Sequence, residues 1–329
     1  EHKSKGLKSR YDNYVKVLSS LPLSLQPPSI CHIDIQLCRD LHHKGKQMTY
    51  PMIIQGGMGA GVSNWQLAKA VSRTGQLGVI SGTALDTIFS RRLQLGDPGG
   101  HMQRAMGHFP DTGMVDRILA RYYRPADGSG RRPFKTPPMI SLDTAQHTKE
   151  LTVLANFSEV FLAKEGHENP VGTNLLEKVQ LPNLYALYGA MLAGVDYVIM
   201  GAGIPREIPG ALDLLADHRE VSLKIAVGAL NGNRFYSSFD PKVFMQKKLP
   251  PLQRPRFLSI VSSVLLATMM AKKANGRVDG FVVELPEAGG HNAPPRGKLV
   301  LNDLGEPVYG DRDAIELEKI KALGLPFWL

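Results

Sequence analysis

The chain has 329 residues, 43% of them hydrophobic and 21% charged, an ordinary globular composition that can bury one large α/β domain or two smaller ones. No apolar run reaches the length of a membrane span and no signal peptide opens the sequence, so a cytoplasmic protein that does not engage a membrane is expected. The net charge of +9 comes from dispersed lysines and arginines in short pairs such as Arg91-Arg92, Arg131-Arg132 and Lys272-Lys273, a pattern of solvated basic surface rather than of nucleic-acid binding, though its field favours anionic ligands such as a phosphate-bearing cofactor.

Residues 1–50 are mixed and polar, with a Pro27-Pro28 pair, and read as a peripheral extension. They hold both cysteines, Cys31 and Cys38, near His32, His42 and His43. That spacing matches no standard metal pattern, so two reduced thiols and no metal are expected. The regular part begins with a short strand, Pro51 to Gln55, followed by a glycine-rich loop from Gly56 to Gly61. Ser63 or Asn64 then caps a helix whose Leu67, Ala70 and Val71 share a face, and Gly75 ends it. Leu77 to Ser81 is the next strand, and the long segment 83–145 follows it. Residues 185–193 read as a helix stopped by Gly194, and Val195 to Met200 as a strand leading into Gly201-Ala202-Gly203-Ile204-Pro205. Residues 222–228 and 257–262 read as further strands on either side of a Pro-rich, basic insertion at about 229–256. A helix over 263–274 precedes the apolar run Phe281-Val282-Val283-Glu284. Asp313 is expected to start another helix, with Glu316 as its capping-box partner and Gly324 at its end. A last strand begins at Pro326.

Repeated strand–helix alternation implies a parallel sheet. Glycine-rich loops after several different strands favour a closed barrel, because a doubly wound fold concentrates one such loop after its first strand. Gly57, Gly59 and Ala60-Gly61 only approximate the dinucleotide fingerprint. The most informative stretch is Glu287-Ala288-Gly289-Gly290-His291. It sits at the carboxyl end of a buried strand, where parallel α/β folds bind ligands. Glycines there let backbone N–H groups come close to a ligand, and His291 offers a side chain that titrates near neutral pH. Glu284 and Glu287 flank the motif and could orient His291. The pair Met269-Met270 reads as core filler. His101, His108, His147 and His167 lie in loop-like segments and carry no assigned role.

Three segments, Pro51 to Gly61, Val195 to Pro205 and Asp279 to His291, resemble in that order the nitronate monooxygenase (2-nitropropane dioxygenase) family of FMN-dependent TIM barrels, which includes related flavin-dependent enoyl reductases. The resemblance covers about residues 50–329, and the Ala-Gly-Gly-His step is its most specific element. It implies a TIM (β/α)8 barrel over 51–329 with an insertion in the rim. It also implies FMN as cofactor, with Gly57, Met58 and Gly59 against the flavin ring and Asn174 near it. Gly201 and Ala202 would line the cofactor's approach, and Ser262 would touch the ribityl chain or phosphate. Ala288, Gly289 and Gly290 would pass under the ribityl and phosphate, and His291 would be the catalytic histidine or a substrate positioner. The implied reaction is oxidation of alkyl nitronates with O2. The alternatives are an NAD(P)H-dependent enoyl-thioester reductase of fatty acid or polyketide synthesis and a non-catalytic flavin- or acyl-binding partner. Since the seventh strand is only starting at Leu329, the barrel is expected to be truncated before its last strands and to hold FMN weakly.

Overall fold

Short apolar runs assemble side by side as parallel strands in a computed structural model that describes residues 50–125, 133–226, 234–286, 288 and 293–329. The strands are β1 (Gly78–Ser81), β2 (Val171–Leu176), β3 (Tyr197–Gly201), β4 (Val221–Ile225), β5 (Phe235–Phe239), β6 (Arg256–Val261), β7 (Gly280–Val283) and β8 (Phe327–Trp328). Six of them form one sheet in the order β1-β2-β3-β6-β7-β8, parallel throughout. Residues 53–55 extend it beyond β1: Gln55 N–H donates to the Leu77 carbonyl at 3.0 Å, and Leu77 N–H to the Ile53 carbonyl at 3.1 Å.

Side chains alternate across a strand, and here both faces are apolar. One face packs on the helices. The other gathers Leu77, Val79, Tyr197, Ile199, Leu258 and Trp328, with Ile54, Ile260 and Val282 against them. A shared interior for residues from both edges requires the sheet to curl. The edges do touch: the Trp328 indole donates to the Pro51 carbonyl at 2.9 Å, and the Tyr50 and Trp328 rings meet edge-on at 6.0 Å. Among the described residues no backbone ladder joins these edges, so the fold is mixed α/β on a curled, open sheet, and of the expected truncated (β/α)8 barrel the parallel α/β part is what the described residues form. The local chemistry accounts for this. Proline has no N–H to give a ladder, and the Pro51 carbonyl is taken by a side chain.

The strand expected at 222–228 does not join the main sheet. It starts at Val221 and pairs antiparallel with β5, which lies inside the expected insertion. Its alternation of buried Val221 and Leu223 with exposed Ser222 and Lys224 suits a ribbon with one wet face.

The helices are α1 (Trp65–Ser72), α2 (Leu85–Gln94), α3 (His101–Met106), α4 (Thr112–Tyr122), α5 (Gln146–Lys164), α6 (Asn183–Leu192), α7 (Ile208–Ala216), α8 (Pro241–Met245), α9 (Val264–Lys273) and α10 (Leu317–Lys321). Helix α5 is buried nearly all round, contacting α1, α2, α3, α4 and α6. Its buried Glu150 accepts from the Arg117 guanidinium at 2.7 Å, and its buried Glu159 pairs with Arg92 and accepts from Trp65 N–H at 2.8 Å. Against α6 the backbones nearly touch, because a Cβ at Gly189 would overlap the Val153 carbonyl.

Two helix expectations need correction. Asn64 caps α1 as expected, but the buried face carries Ala68 and Ser72 while Leu67 is exposed. Ser72 explains the choice: its hydroxyl donates to the Pro170 carbonyl at 2.7 Å and accepts from Gly78 N–H at 3.2 Å. Asp313 does not start a helix. Its carboxylate accepts from the Gly310 and Arg296 backbones at 2.9 and 2.7 Å, and α10 begins after Glu316.

Candidate functional site at the carboxyl ends of the strands

In a parallel sheet all strand exits lie at one end, so the loops after residues 53–55, β2, β3, β6 and β7 share a rim. The first loop is held down by a chain of side-chain hydrogen bonds. Gln55 accepts from Val79 N–H at 2.9 Å and donates to the Ser63 hydroxyl at 3.0 Å. The Ser63 hydroxyl donates to the Met58 carbonyl at 2.7 Å. From the facing strand, the Asn174 amide donates to the Gly56 carbonyl at 2.9 Å and to the Met58 sulfur at 3.3 Å.

Gly57 makes this close seating possible. Its φ of +68° is left-handed, and an added Cβ would overlap Val79 and approach Asn174 Cβ to 3.2 Å. The loop therefore lies directly on the inner face, above Val79, with the Met58 side chain half in solvent. Among the described residues, no hydrogen bond uses the N–H of Gly57 or Met58. Asn174 is buried, yet its Oδ1 has no partner there either.

Gly57, Met58 and Asn174 are thus in direct contact. Gly59 lies further along the loop, where its carbonyl accepts from Val62 and Ser63 N–H. Gly201 packs on the inner face against Ile260 of β6, where a Cβ would come within 2.7 Å. Ala202 adopts φ +52°, a conformation that L side chains rarely take. Its carbonyl accepts from Lys178 N–H at 3.3 Å, which ties the exits of β2 and β3.

Ser262 lies further round the rim. Its carbonyl accepts from the Arg296 guanidinium at 2.9 Å. A small cavity of about 110 Å³ there is lined by Ser262, Ser263, Glu284, Pro286 and Arg296. The exits of β6 and β7 are therefore neighbours, as the Glu284 N–H to Val261 carbonyl bond of 2.9 Å also shows. Ala288 N–H donates to Leu285 at 3.0 Å in a turn. Gly289, Gly290 and His291 lie outside the described residues, as does Glu287.

Sequence reasoning missed how the site is held. Gln55 read as a strand end and Ser63 as a possible helix cap, yet together they clamp the Met58 loop. Glu177, which no motif of the sequence singles out, is a further candidate. It lies half-buried at the exit of β2, where burial raises its carboxyl above the usual range and the Ile204 N–H partly offsets this.

Neither a comparison with family models nor one with curated proteins gives a match. Among solved structures, FabK from Thermotoga maritima is similar over 74% of this chain and 43% of that chain, at 16% identity and a TM-score of 0.36. The chain thus spans less than half the length of that protein.

The described residues suit the ring of a planar heteroaromatic cofactor. They offer two unused backbone N–H groups on the Gly57–Met58 loop, a buried amide oxygen without a donor at Asn174, and a polarisable thioether beside it. Among the described residues no group of acidic, histidine or cysteine side chains could hold a metal ion, and no helix is long and apolar enough to cross a membrane.

Proposed function

We propose that this chain is the flavin-binding part of an FMN-dependent oxidoreductase, that its curled sheet is an unclosed TIM barrel, and that its reaction is oxidation of alkyl nitronates with O2. The observation that carries this reading is the seating of Gly57 and Met58 on Asn174. A buried amide acceptor left without a donor is costly, and it sits beside a loop whose backbone N–H groups are unspent. A cofactor ring bearing both acceptors and an N–H would satisfy both.

When bound, FMN would supply the electron-accepting chemistry, with the protein providing orientation and electrostatics. Gly57 and Met58 would fix the ring edge through backbone N–H groups, and Asn174 Oδ1 would accept from it. Gly59, Gly201 and Ala202 would line the approach. Ser262, Ala288, Gly289 and Gly290 would carry the ribityl and phosphate end. His291, placed by its sequence position after the glycine pair, would take the acidic α-proton of a neutral nitroalkane at a ring nitrogen. With a preformed nitronate, protonated His291 would offset the anionic charge instead.

The test is a titration of the chain with FMN, followed by flavin fluorescence, for wild type and Asn174→Leu. Leucine is close in size and removes only the amide. Wild type should bind saturably, and Asn174→Leu should bind at least tenfold more weakly, the scale of a lost buried hydrogen bond plus an unanchored loop. Equal affinities would remove Asn174 from the site, and no binding by folded wild type would sink the flavin reading.

A further inference from the structure

A cavity of about 650 Å³ opens between the loop after β1 and the loop after β2. It lies on the helix side of the sheet, opposite the face that carries Asn174. Leu175 is the cavity's residue and Asn174 is not, as alternation along β2 dictates. Thr152 and Asn156 of α5, Ala186 of α6 and Leu85 of α2 complete its walls. Nothing in the proposed flavin chemistry uses this space.

Its walls limit what could fill it. Most of the lining is apolar, and the volume falls in the usual range for small-molecule sites. The charged lining residues are one acid, Asp86, and one base, Lys178, so the cavity holds no net charge to select an ion. The first turns of α2 and α6 line the cavity. In α6 the Asn183 N–H is taken by the Gln180 carbonyl at 3.3 Å, and in α2 the Thr87 N–H by the Asp86 carboxylate at 2.7 Å; the Leu85 N–H, at the start of α2, has no partner among the described residues. Uncapped first-turn N–H groups are donors in search of an oxygen.

One wall is a strap. Residues 137–140 cross the opening between two anchors. On one side the buried Gln94 amide grips Lys135 through both backbone groups, at 3.0 and 2.6 Å. On the other, the Thr144 hydroxyl bridges the Ser141 N–H and carbonyl at 2.5 and 2.6 Å. Between the anchors Met139 is 92% exposed although it lines the mouth. A large flexible apolar side chain held in water over a cavity gains burial when the cavity fills.

We propose that this cavity is a second binding site, for an uncharged and largely apolar small molecule that carries a carbonyl or hydroxyl oxygen. The body lies against Leu175, Leu85 and Ala186, the oxygen accepts from the Leu85 N–H at the start of α2, and Met139 folds over the mouth. The site stands independently of the flavin reading, because its walls belong to the other face of the sheet.

The experiment uses the fluorescence of N-phenyl-1-naphthylamine, a neutral apolar probe, titrated into the full chain. Saturable binding at one equivalent is expected. Displacement by 2-nonanone should be roughly three- to tenfold stronger than by decane of equal heavy-atom count, the effect of one net hydrogen bond. FMN should not displace the probe. Val179→Trp, which places an indole in the cavity from a half-buried loop position, should weaken probe binding at least tenfold while the melting curve stays cooperative. Thr83→Trp from the opposite loop serves if the first variant does not fold. Absence of saturable binding, retention of it in a folded tryptophan variant, or displacement by FMN would overturn the site. Equal displacement by decane and 2-nonanone would overturn the oxygen preference.

Discussion

Trp328 and Pro51 lie 277 positions apart in sequence, and the Trp328 indole N–H donates to the Pro51 carbonyl at 2.9 Å. This bond joins β8 to the segment that extends the sheet beyond β1 and holds the curl that gives the sheet an interior. Trp328→Phe keeps most of the buried ring but strands a carbonyl, and should cost about 1–2 kcal/mol. Trp328→Ala also empties the space beside Gly280 and Leu258, and should cost about 3–5 kcal/mol. Urea unfolding of the three proteins checks this ordering; a phenylalanine variant as stable as wild type would show that the bond does not hold the edges together.

Asp86 gives the protein a pH dependence of known sign. Burial raises its folded-state pKa above the unfolded value. In the window between those two values the folded state binds more protons, so stability falls as pH rises through it. Asp86→Asn cannot ionise and escapes this loss. The melting temperature of Asp86→Asn relative to wild type should therefore increase from about pH 4 to about pH 7. A difference that stays flat or shrinks with pH would contradict the assignment.

Much of the frame was legible in the sequence, because buried parallel strands are continuous apolar runs and glycines punctuate them. Val195 to Met200 and Phe281 to Val283 fall where β3 and β7 are, and Gly75, Gly194 and Gly324 take the positive φ values expected of helix ends. Helix α5 was invisible because its buried faces carry Thr148, Thr152, Asn156 and Glu159, which hide an apolar period. The Thr152 hydroxyl and the Asn156 amide N–H donate to the carbonyls four residues back, and Glu159 is met by Arg92 and Trp65, partners from 67 and 94 positions away. At the site, the Gly56–Gly61 loop and Asn174 could be picked out by type. Their contact could not, because 116 positions separate Met58 from Asn174 and only the sheet brings them together.

His291→Asn separates two roles for the histidine. The substitution keeps a polar group and removes the titratable base. If His291 abstracts the α-proton, activity on neutral nitroalkanes should drop by roughly 10²–10⁴-fold, the usual worth of a general base. Activity on preformed nitronates, which need no deprotonation, should fall much less. Steady-state rates on both substrate forms decide it; equal losses would leave charge stabilisation or positioning, and no loss on either would remove His291 from the reaction.

The most direct test of the proposed oxidoreductase is anaerobic mixing of the FMN-loaded chain with an alkyl nitronate in the absence of NAD(P)H, followed through the visible flavin band. The band should bleach, and admitting oxygen should restore it with release of nitrite. A band that ignores the nitronate but is bleached rapidly by NADPH, with turnover of an enoyl thioester, would contradict nitronate oxidation and assign the chain to enoyl reduction.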